Sequence, residues 1–212
     1  MKFLKQNKIP TLLLFLSLTG KTLGSKESLP KTEQTKAITA TWLTITKVKK
    51  PWIAWRGLVS SRMEKSIPEY QAIPGLEEKF YSFREGSDRF GGIYFWRQKS
   101  DAERWFQVSW FERIEKQYGE KGIVESYSIV ETYVHPNLPS LGENVYAVLS
   151  YRNIDIKTEF KKDESLHSLI RLQDANKKTC FLTIWKDEKS ALSNFNEADS
   201  DELYFIPVYF RK

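Results

Sequence analysis

The pattern of hydrophobic and polar positions is most regular over residues 89–118. The pair Gly91-Gly92 leads into a short aromatic run, residues 93–96, which predicts a buried strand that follows a turn. Ser100 and Glu103 then have the spacing of a helix N-cap and its capping box. The helix predicted from Ser100 has one broad apolar side, formed by Ala102, Trp105, Phe106, Trp110, Ile114 and Tyr118. This side of the helix must pack on a sheet.

A strand and a helix are also predicted before this unit. Residues 37–49 are rich in β-branched side chains, which favour a strand. Pro51 suits the first position of a helix that ends near Pro68 or Pro74. Apolar residues recur along this helix at helical spacing: Trp52, Trp55, Val59, Met63 and Ile67.

The remaining elements complete a first unit over residues 37–135. Residues 76–84 predict a second strand, and Gly119 and Gly122 end the second helix. Residues 123–134 alternate between apolar and polar, as a strand does. The order β-α-β-β-α-β is that of a ferredoxin-like fold.

Residues 143–212 resemble a shortened copy of this unit, joined to it by a Pro- and Gly-containing linker at 136–142. Three apolar positions recur with the same spacing: Trp96, Ala102 and Phe106 in the first unit, and Trp185, Ala191 and Phe195 in the second. We predict strands at 144–151, 167–173, 179–186 and 203–210, and a helix at 188–198. The first helix of this unit must be short or missing, so we interpret the chain as a tandem repeat with a degenerate second copy.

The first 24 residues have the layout of a secretory signal peptide. Lys2, Lys5 and Lys8 precede a short apolar run at residues 11–18, and small residues follow. The run is too short to span a bilayer. We expect an exported protein whose mature chain has no stable membrane span, with residues 25–36 as a polar linker; an uncleaved, membrane-associated or disordered tail is the alternative.

Composition excludes several classes of function. The net charge is +6, but four of the 33 basic residues lie in the first 24 positions, which contain no acid, so the rest of the chain carries only +2. Its charges are interspersed and form no basic stripe, so we expect no nucleic-acid partner. The single cysteine, Cys180, excludes an intramolecular disulfide and lies in an apolar strand.

Several short motifs together resemble the YdhR-like putative monooxygenases. These motifs are Ile73-Pro74-Gly75-Leu76 before a strand, the stretch from Gly91 to Trp96, the helix start from Ser100 to Phe106, and Tyr118-Gly119. The resemblance covers residues 39–135 well and residues 143–212 more loosely, with spheroidene-monooxygenase-like proteins as looser relatives. It implies the dimeric α+β barrel superfamily, alongside the antibiotic-biosynthesis monooxygenases.

In that superfamily two ferredoxin-like units form one barrel, usually from two chains. The resemblance therefore implies that this α+β chain forms a pseudo-dimer by itself, and it leaves open a further homodimer. Strands buried on both faces fit such a barrel, with Tyr81 and Phe83 on one face and Phe80 on the other.

The resemblance also implies monooxygenase activity without metal or flavin, in an apolar cleft between the sheet and the helices. A small aromatic or apolar molecule would bind there. The residues that we expect to line the cleft are Trp55, Met63, Phe80, Tyr94, Trp105, Trp110 and Tyr127. Tyr94 or Tyr127 could donate a hydrogen bond to a substrate oxygen, although any of the seven could simply belong to the core.

Other chemistries find little support. His135 and His167 lie at strand ends rather than in the helices, which disfavours haem ligation, and no G-x-S-x-G motif indicates a hydrolase. We interpret the glycines of residues 86–92 as those of a hairpin turn, and the nearby charges as solvated.

Two non-enzymatic alternatives stay open: a small-molecule binding protein and a structural interaction module. A cavity with convergent polar groups would favour the enzyme. An open apolar cleft would favour the small-molecule binding protein, and a fully packed interior would favour the structural interaction module.

Overall fold

Eight antiparallel strands close into one barrel in the computed structural model, which describes residues 39–135, 141–154 and 164–212. In chain order the elements are β1 (Trp42–Lys49), α1 (Arg56–Gln71), β2 (Leu76–Arg84), β3 (Arg89–Trp96), α2 (Lys99–Trp105), α3 (Val108–Tyr118), β4 (Ile123–Val134), β5 (Val145–Ser150), β6 (Leu166–Gln173), β7 (Thr179–Trp185), α4 (Glu188–Ser193), a 3₁₀ turn (Glu197–Asp199) and β8 (Glu202–Arg211).

The strands follow the order β1-β3-β2-β8-β5-β7-β6-β4 around the barrel, and β4 closes it by pairing with β1. The first four strands are arranged β4-β1-β3-β2, and the last four are arranged β8-β5-β7-β6. Each half therefore has the strand order of a ferredoxin-like sheet. The halves meet where β2 pairs with β8 and where β4 pairs with β6.

The register also matches between the halves. Leu76 pairs with Trp96 at one end of the first sheet, and a bulge follows before Glu78. Leu166 pairs with Trp185 in the second sheet, and a bulge again follows, before Ser168. Positions in the two halves can thus be matched strand by strand through these pairs.

Alternate residues of each strand face either the barrel interior or the helices. Phe80, Ile93 and Phe95 belong to the interior core, whereas Tyr81 and Tyr94 belong to a second core under the helices of the first half. The sequence predicted this division, because aromatic residues occupy both faces of the same strands.

Helix α1 differs from its predicted form at its start, and its end lies between the two predicted ends, Pro68 and Pro74. Residues 51–54 form a turn, in which Ala54 N–H donates to the Pro51 carbonyl, and the helix begins only at Arg56. Trp52 and Trp55 therefore lie outside the helix and are 93% and 69% exposed. The helix also continues through Pro68 to Gln71.

The second predicted helix is two helices, α2 and α3, and Ser100 is not its N-cap. Helix α2 begins at Lys99, after Gln98, whose side chain makes no capping bond. The chain leaves the helical conformation at Phe106, which brings that ring within 5.1–5.8 Å of the rings of Tyr94, Trp96 and Trp110. Aromatic packing therefore decides this break.

The glycine pair Gly91-Gly92 lies inside β3 rather than in the hairpin turn, which contains Gly86. A Cβ atom on Gly91 would stand 2.1 Å from the Thr46 carbonyl oxygen, so close strand approach requires glycine there. Gly119 does end α3, in the left-handed conformation at φ 77°.

In the second half, α4 ends at Ser193, five residues before the predicted end, and a short 3₁₀ turn follows. The predicted signal peptide, the polar linker, most of the 136–142 linker and the question of a missing helix fall on residues outside the described ranges. No helix within the described ranges is long and apolar enough to cross a membrane.

Candidate functional site

A cavity of about 280 Å³ lies between the helices of the first half and the outer face of its sheet. We call it the first cavity. Helices α1 and α3 form its walls, and strands β1, β2 and β3 form its floor. Apolar walls come from Ala54, Val59, Met63, Phe90, Trp110 and Ile114, and polar groups from Thr46, Arg62, Ser66, Glu69, Tyr70, Lys79, Tyr81, Tyr94, Arg113, Gln117 and Tyr118.

Lys79 is the central polar residue of the first cavity. Its side chain comes from β2 on the same face as Tyr81, and only 1% of the residue is exposed. The Nζ atom lies 3.0 Å from the ring centroid of Tyr70, 3.7 Å from that of Tyr81 and 4.6 Å from that of Tyr94. We call these three rings the tyrosine cage.

Burial lowers the pKa of Lys79 well below its usual value, because a charged amine loses its hydration there. The negative charge of Glu69 acts in the opposite direction, and so do the ring faces of the cage. Among the described residues, none forms a hydrogen bond or ion pair with Nζ. Lys79 therefore combines a buried amine with an apolar cavity.

Gly92 provides the space for this amine. A Cβ atom at Gly92 would stand 2.9 Å from Lys79 Cε and 3.1 Å from a ring carbon of Tyr94. Any larger residue in the middle of β3 would displace the lysine or the ring. The glycine is therefore a requirement of the site rather than of a turn.

The tyrosine cage consists of protonated phenols. Burial raises the pKa of Tyr70, of Tyr81 and of Tyr94. The hydroxyl groups of Tyr81 and Ser66 are 2.8 Å apart and share a hydrogen bond. These phenols can donate hydrogen bonds to a ligand, but their raised pKa values make them poor proton acceptors near neutral pH.

Trp110 forms the largest apolar wall. It is 4% exposed, and its ring packs edge-on against Phe106 and Phe111. A Cβ atom on Gly122 would stand 2.7 Å from its ring, so this glycine leaves room for the indole. The Trp110 ring is therefore held between these phenylalanine rings and the backbone at Gly122.

Of the residues that the sequence predicted, Met63, Tyr94 and Trp110 line the first cavity together. Trp105 lies one layer behind them, with its ring 5.8 Å from that of Tyr70. Its buried Nε1 has no hydrogen-bond partner among the described residues.

The other predicted residues lie elsewhere. Phe80 and Tyr127 face the barrel interior, on the opposite side of the sheet from the cavity. Trp55 is exposed beyond the start of α1. Strand alternation separates Phe80 from Lys79, since neighbouring residues of a strand point to opposite faces.

Lys79, Tyr70, Tyr81, Arg62 and Arg113 were not predicted as site residues. One signal for Lys79 was available, because it is the charged residue on the strand face that Tyr81 and Phe83 otherwise make apolar. Tyr70 lies in the last turn of that helix, beyond Ile67, the last of the apolar positions that recur at helical spacing.

A second group of charges lies at one end of the barrel interior and is fully paired. Lys47 Nζ lies 2.6 Å from a carboxylate oxygen of Glu125 and 2.8 Å from one of Glu202. Tyr127 and Tyr204 donate hydrogen bonds to these same carboxylates. Arg84 lies 3.2 Å from a carboxylate oxygen of Glu202, so the two carboxylates are balanced by two cations.

A smaller cavity of about 150 Å³ lies in the second half, and we call it the second cavity. It is lined by Val148, Ser150, Arg152, Asn153, Ile154, Leu166, Thr183, Trp185 and Asn194. Arg152 lies 2.8 Å from Asp201, so the positive charge there is paired.

Metal ligation finds no candidate in the part of the chain that the structure describes, where no three His, Cys, Asp or Glu side chains cluster. Burial lowers the pKa of His167 to about 4, with Arg211 and Lys186 acting in the same direction. Cys180 is buried, and burial raises the pKa of its thiol to about 12, as for a core residue.

No protein-family model matches this sequence, and no curated protein is similar to it. The fold occurs in solved structures. A protein described as a putative monooxygenase from Fusobacterium nucleatum has a TM-score of 0.55 at 10% identity, over 82% of this chain and 95% of that one. A protein of the same description from Lactobacillus acidophilus has a TM-score of 0.49 at 8% identity, over 81% of this chain and 96% of its own.

At such low identity the likeness to the Fusobacterium protein shows the fold alone. The chain has a mixed α and β architecture around a closed eight-stranded antiparallel barrel, as the α+β prediction required.

Proposed function

We propose that this protein is a cofactor-independent monooxygenase that oxidises a small aromatic substrate in the first cavity. The observation that carries the proposal is the buried amine of Lys79, which has a lowered pKa and faces an apolar cavity. A lowered pKa favours the neutral amine, which is the form that can accept a proton from a substrate. The shared fold with a protein described as a putative monooxygenase, and the motif resemblance to the YdhR-like family, agree with it.

Oxygenation without a cofactor begins with a substrate carbanion, because the anion supplies the electrons that reduce O₂. In our proposal, Lys79 removes a proton from an activated CH₂ group beside a phenolic ring. The carbanion adds O₂ to form a peroxide anion, which takes the proton back from the Lys79 ammonium. The hydroperoxide then eliminates water and leaves a carbonyl group, so that one CH₂ and one O₂ give one C=O and one H₂O.

The surrounding groups suit the anionic intermediate. The phenols of the tyrosine cage stay protonated and can donate hydrogen bonds to a developing oxyanion. The buried apolar side chains of Trp110 and Met63 line the same cavity, and a setting of low polarity strengthens these interactions. Lys79 is a better base than the cage tyrosines, because the raised pKa of each tyrosine leaves no phenolate at neutral pH.

The test is oxygen uptake with a panel of one- and two-ring phenols that carry an activated CH₂ group, in protein prepared with a chelator and without flavin. We expect uptake by the wild type, and a fall of about 100-fold or more in Lys79→Met, the usual effect of losing a general base. Lys65→Met is the matched control, because Lys65 is exposed on α1 and does not line the cavity. Uptake by Lys79→Met within twofold of the wild type would reject this mechanism.

A non-catalytic small-molecule binding protein is the second candidate. The observation that favours it is the mouth of the first cavity, where Arg62, Arg113 and Gln117 are exposed. This candidate predicts saturable binding of aromatic compounds with no oxygen uptake for any of them. The cavity itself argues against a purely structural interaction module, which would have a packed interior.

We also propose that the barrel is a tandem pseudo-dimer that arose by duplication. The identical strand order of the halves supports it, as do the matching bulges after Leu76 and Leu166. Glu125 and Tyr127 of β4 match Glu202 and Tyr204 of β8 in register, and each tyrosine donates to its glutamate.

Residues 37–135 expressed alone provide the test of the duplication. We expect them to form a homodimer by light scattering, because the edges of β2 and β4 would otherwise lose their partners. A folded monomer would contradict the proposal. Within the full chain the halves already close the barrel, so a further homodimer is not needed for closure.

We infer export from the basic and apolar pattern of the first 24 residues. A fusion of these residues to alkaline phosphatase should be active outside the cytoplasm. An inactive, cytoplasmic fusion would overturn the inference.

A further inference from the structure

We propose that the first cavity selects aromatic substrates that carry a carboxylate, and that Arg62 and Arg113 bind this group at the mouth. This inference rests on the proposed function for the chemistry at Lys79, but it concerns recognition and is tested by binding.

The charge of the lining is the first observation. Two arginines, Arg62 and Arg113, line the cavity, and Glu69 is the acidic residue among the described lining residues. The lining is therefore positive whether or not Lys79 carries a proton. Apolar walls around such a site focus its field on the cavity and attract anions.

The arginines converge on one place from two helices. Arg62 lies on α1 and Arg113 on α3, and both guanidinium groups lower the pKa of Tyr118, whose ring lines the same mouth. Burial of Tyr118 outweighs them and raises its pKa overall. Both charges therefore act on the same phenol, as they would on a ligand placed beside it.

Neither arginine has an acidic partner among the described residues. Other arginines among these residues form ion pairs with glutamates. Neither Arg62 nor Arg113 does so within this part of the chain. Arg113 lies 5.8 Å from the ring centroid of Trp105, a contact that uses no N–H donor. A guanidinium without an acidic partner can form two parallel hydrogen bonds with a carboxylate. The pair at the mouth is thus available to a ligand.

The volume of the cavity sets the size of that ligand. A cavity of roughly 150 Å³ holds one benzene ring. The first cavity, at about 280 Å³, therefore suits one or two fused rings. Such a ligand would place its rings against Trp110 and Met63, its carboxylate at the arginines, and its reacting carbon toward Lys79.

Binding of an isosteric pair tests this inference: 1-hydroxy-2-naphthoate, which is an anion, and 1-hydroxy-2-naphthamide, which is neutral. Calorimetry under nitrogen keeps turnover out of the measurement. We expect the acid to bind the wild type about 10-fold more tightly than the amide at low salt. This preference should shrink as salt is added, because the arginines are exposed.

Arg62→Gln with Arg113→Gln should remove the preference, because it weakens binding of the acid about 10-fold more than binding of the amide. The matched control is Lys65→Gln with Lys116→Gln, which removes the same charge from the same helices at exposed residues outside the cavity. The control should keep the preference.

The inference would be overturned if the wild type bound the acid and the amide equally well, or bound neither. It would also be overturned if the control lost as much of the preference for the acid as the double arginine variant. Failure of the proposed function looks different. If the acid is preferred as expected but no aromatic compound supports oxygen uptake, the recognition stands and the monooxygenase does not. If oxygen uptake depends on Lys79 but the wild type shows no preference for the acid, the monooxygenase proposal stands and the recognition proposal does not.

Discussion

The first and second cavities lie on the same face of matching strands in the two halves of the barrel, yet only the first contains a buried, unpaired amine among the described residues. By strand register, Lys79 in β2 matches Leu169 in β6. Tyr94 matches Thr183, and each lines its own cavity. The same framework thus holds a buried amine in one half and an apolar side chain in the other.

Space explains why the amine exists on one side only. Gly92 matches Phe181, which is buried. The glycine leaves room for Lys79, whereas the second half has a buried aromatic ring at the matching position. The comparison teaches that a site in this fold depends on a small residue in β3 as much as on the reactive residue itself.

We expect the largest difference in stability between matching substitutions in the two halves at Lys47. It lies between Glu125 and Glu202, and its matching residue in the second half is Tyr151. Lys47→Met would leave Glu125 without this cation, whereas Glu202 would keep Arg84 at 3.2 Å. We expect a loss of about 3 kcal/mol in the free energy of unfolding, measured with urea. Tyr151→Phe should cost less than about 1 kcal/mol, and similar losses for both would contradict this assignment.

Gly122→Ala tests the wall of the first cavity. The new methyl group would meet the Trp110 ring at 2.7 Å and Ile114 at 3.3 Å. We expect a loss of about 1–3 kcal/mol in stability and weaker binding of aromatic ligands. Gly142→Ala is the control, since a Cβ atom there has no neighbour within 4 Å in the described structure. Its stability should change by less than about 0.5 kcal/mol.

The pH dependence of stability tests the state of Lys79. Its folded pKa is lowered, so between that value and the unfolded value of about 10.4 the unfolded state binds a proton that the folded state does not. Rising pH in this window therefore stabilises the protein, by up to about 1.4 kcal/mol per pH unit. The destabilisation due to Lys79 is absent above the window and grows as the pH falls.

Urea melts of the wild type and Lys79→Met at pH 7, 8 and 9 measure this slope. The difference in stability between them should shrink as the pH rises. Leu169→Met, at the matching position, should give a difference that does not vary with pH. A constant difference for Lys79→Met would mean that the amine keeps its usual pKa.

The smallest effect concerns helix starts that match in the two halves. The side chain of Asp187 accepts a hydrogen bond from Ser190 N–H at the start of α4, whereas Gln98 makes no such bond at the start of α2. Asp187→Ala should cost about 1 kcal/mol in thermal or urea unfolding. Gln98→Ala should cost less than about 0.5 kcal/mol, and a reversed order would show that the two starts were misassigned.

The strands were largely predictable. Strands β2 and β4 have the predicted bounds, because apolar alternation and flanking turn residues are local signals. The helix boundaries were less predictable. Pro68 lies inside α1, and the break at Phe106 follows from ring contacts with residues of another strand, which no local pattern contains.

Three of the predicted cavity residues share the first cavity, and Phe80 and Tyr127 lie on the other side of the sheet. Aromatic content identified them as buried residues. It could not assign a cavity, because both faces of these strands are buried and both carry aromatic residues.

The sequence by itself determined the periods of the elements, the two buried faces of the strands and the matching Trp96 and Trp185. Only the tertiary structure decided that Tyr70 of α1, Tyr81 of β2 and Tyr94 of β3 surround Lys79. The reason is physical. Periodicity depends on neighbours a few residues apart, whereas the lowered pKa of a buried amine depends on groups that only folding brings together.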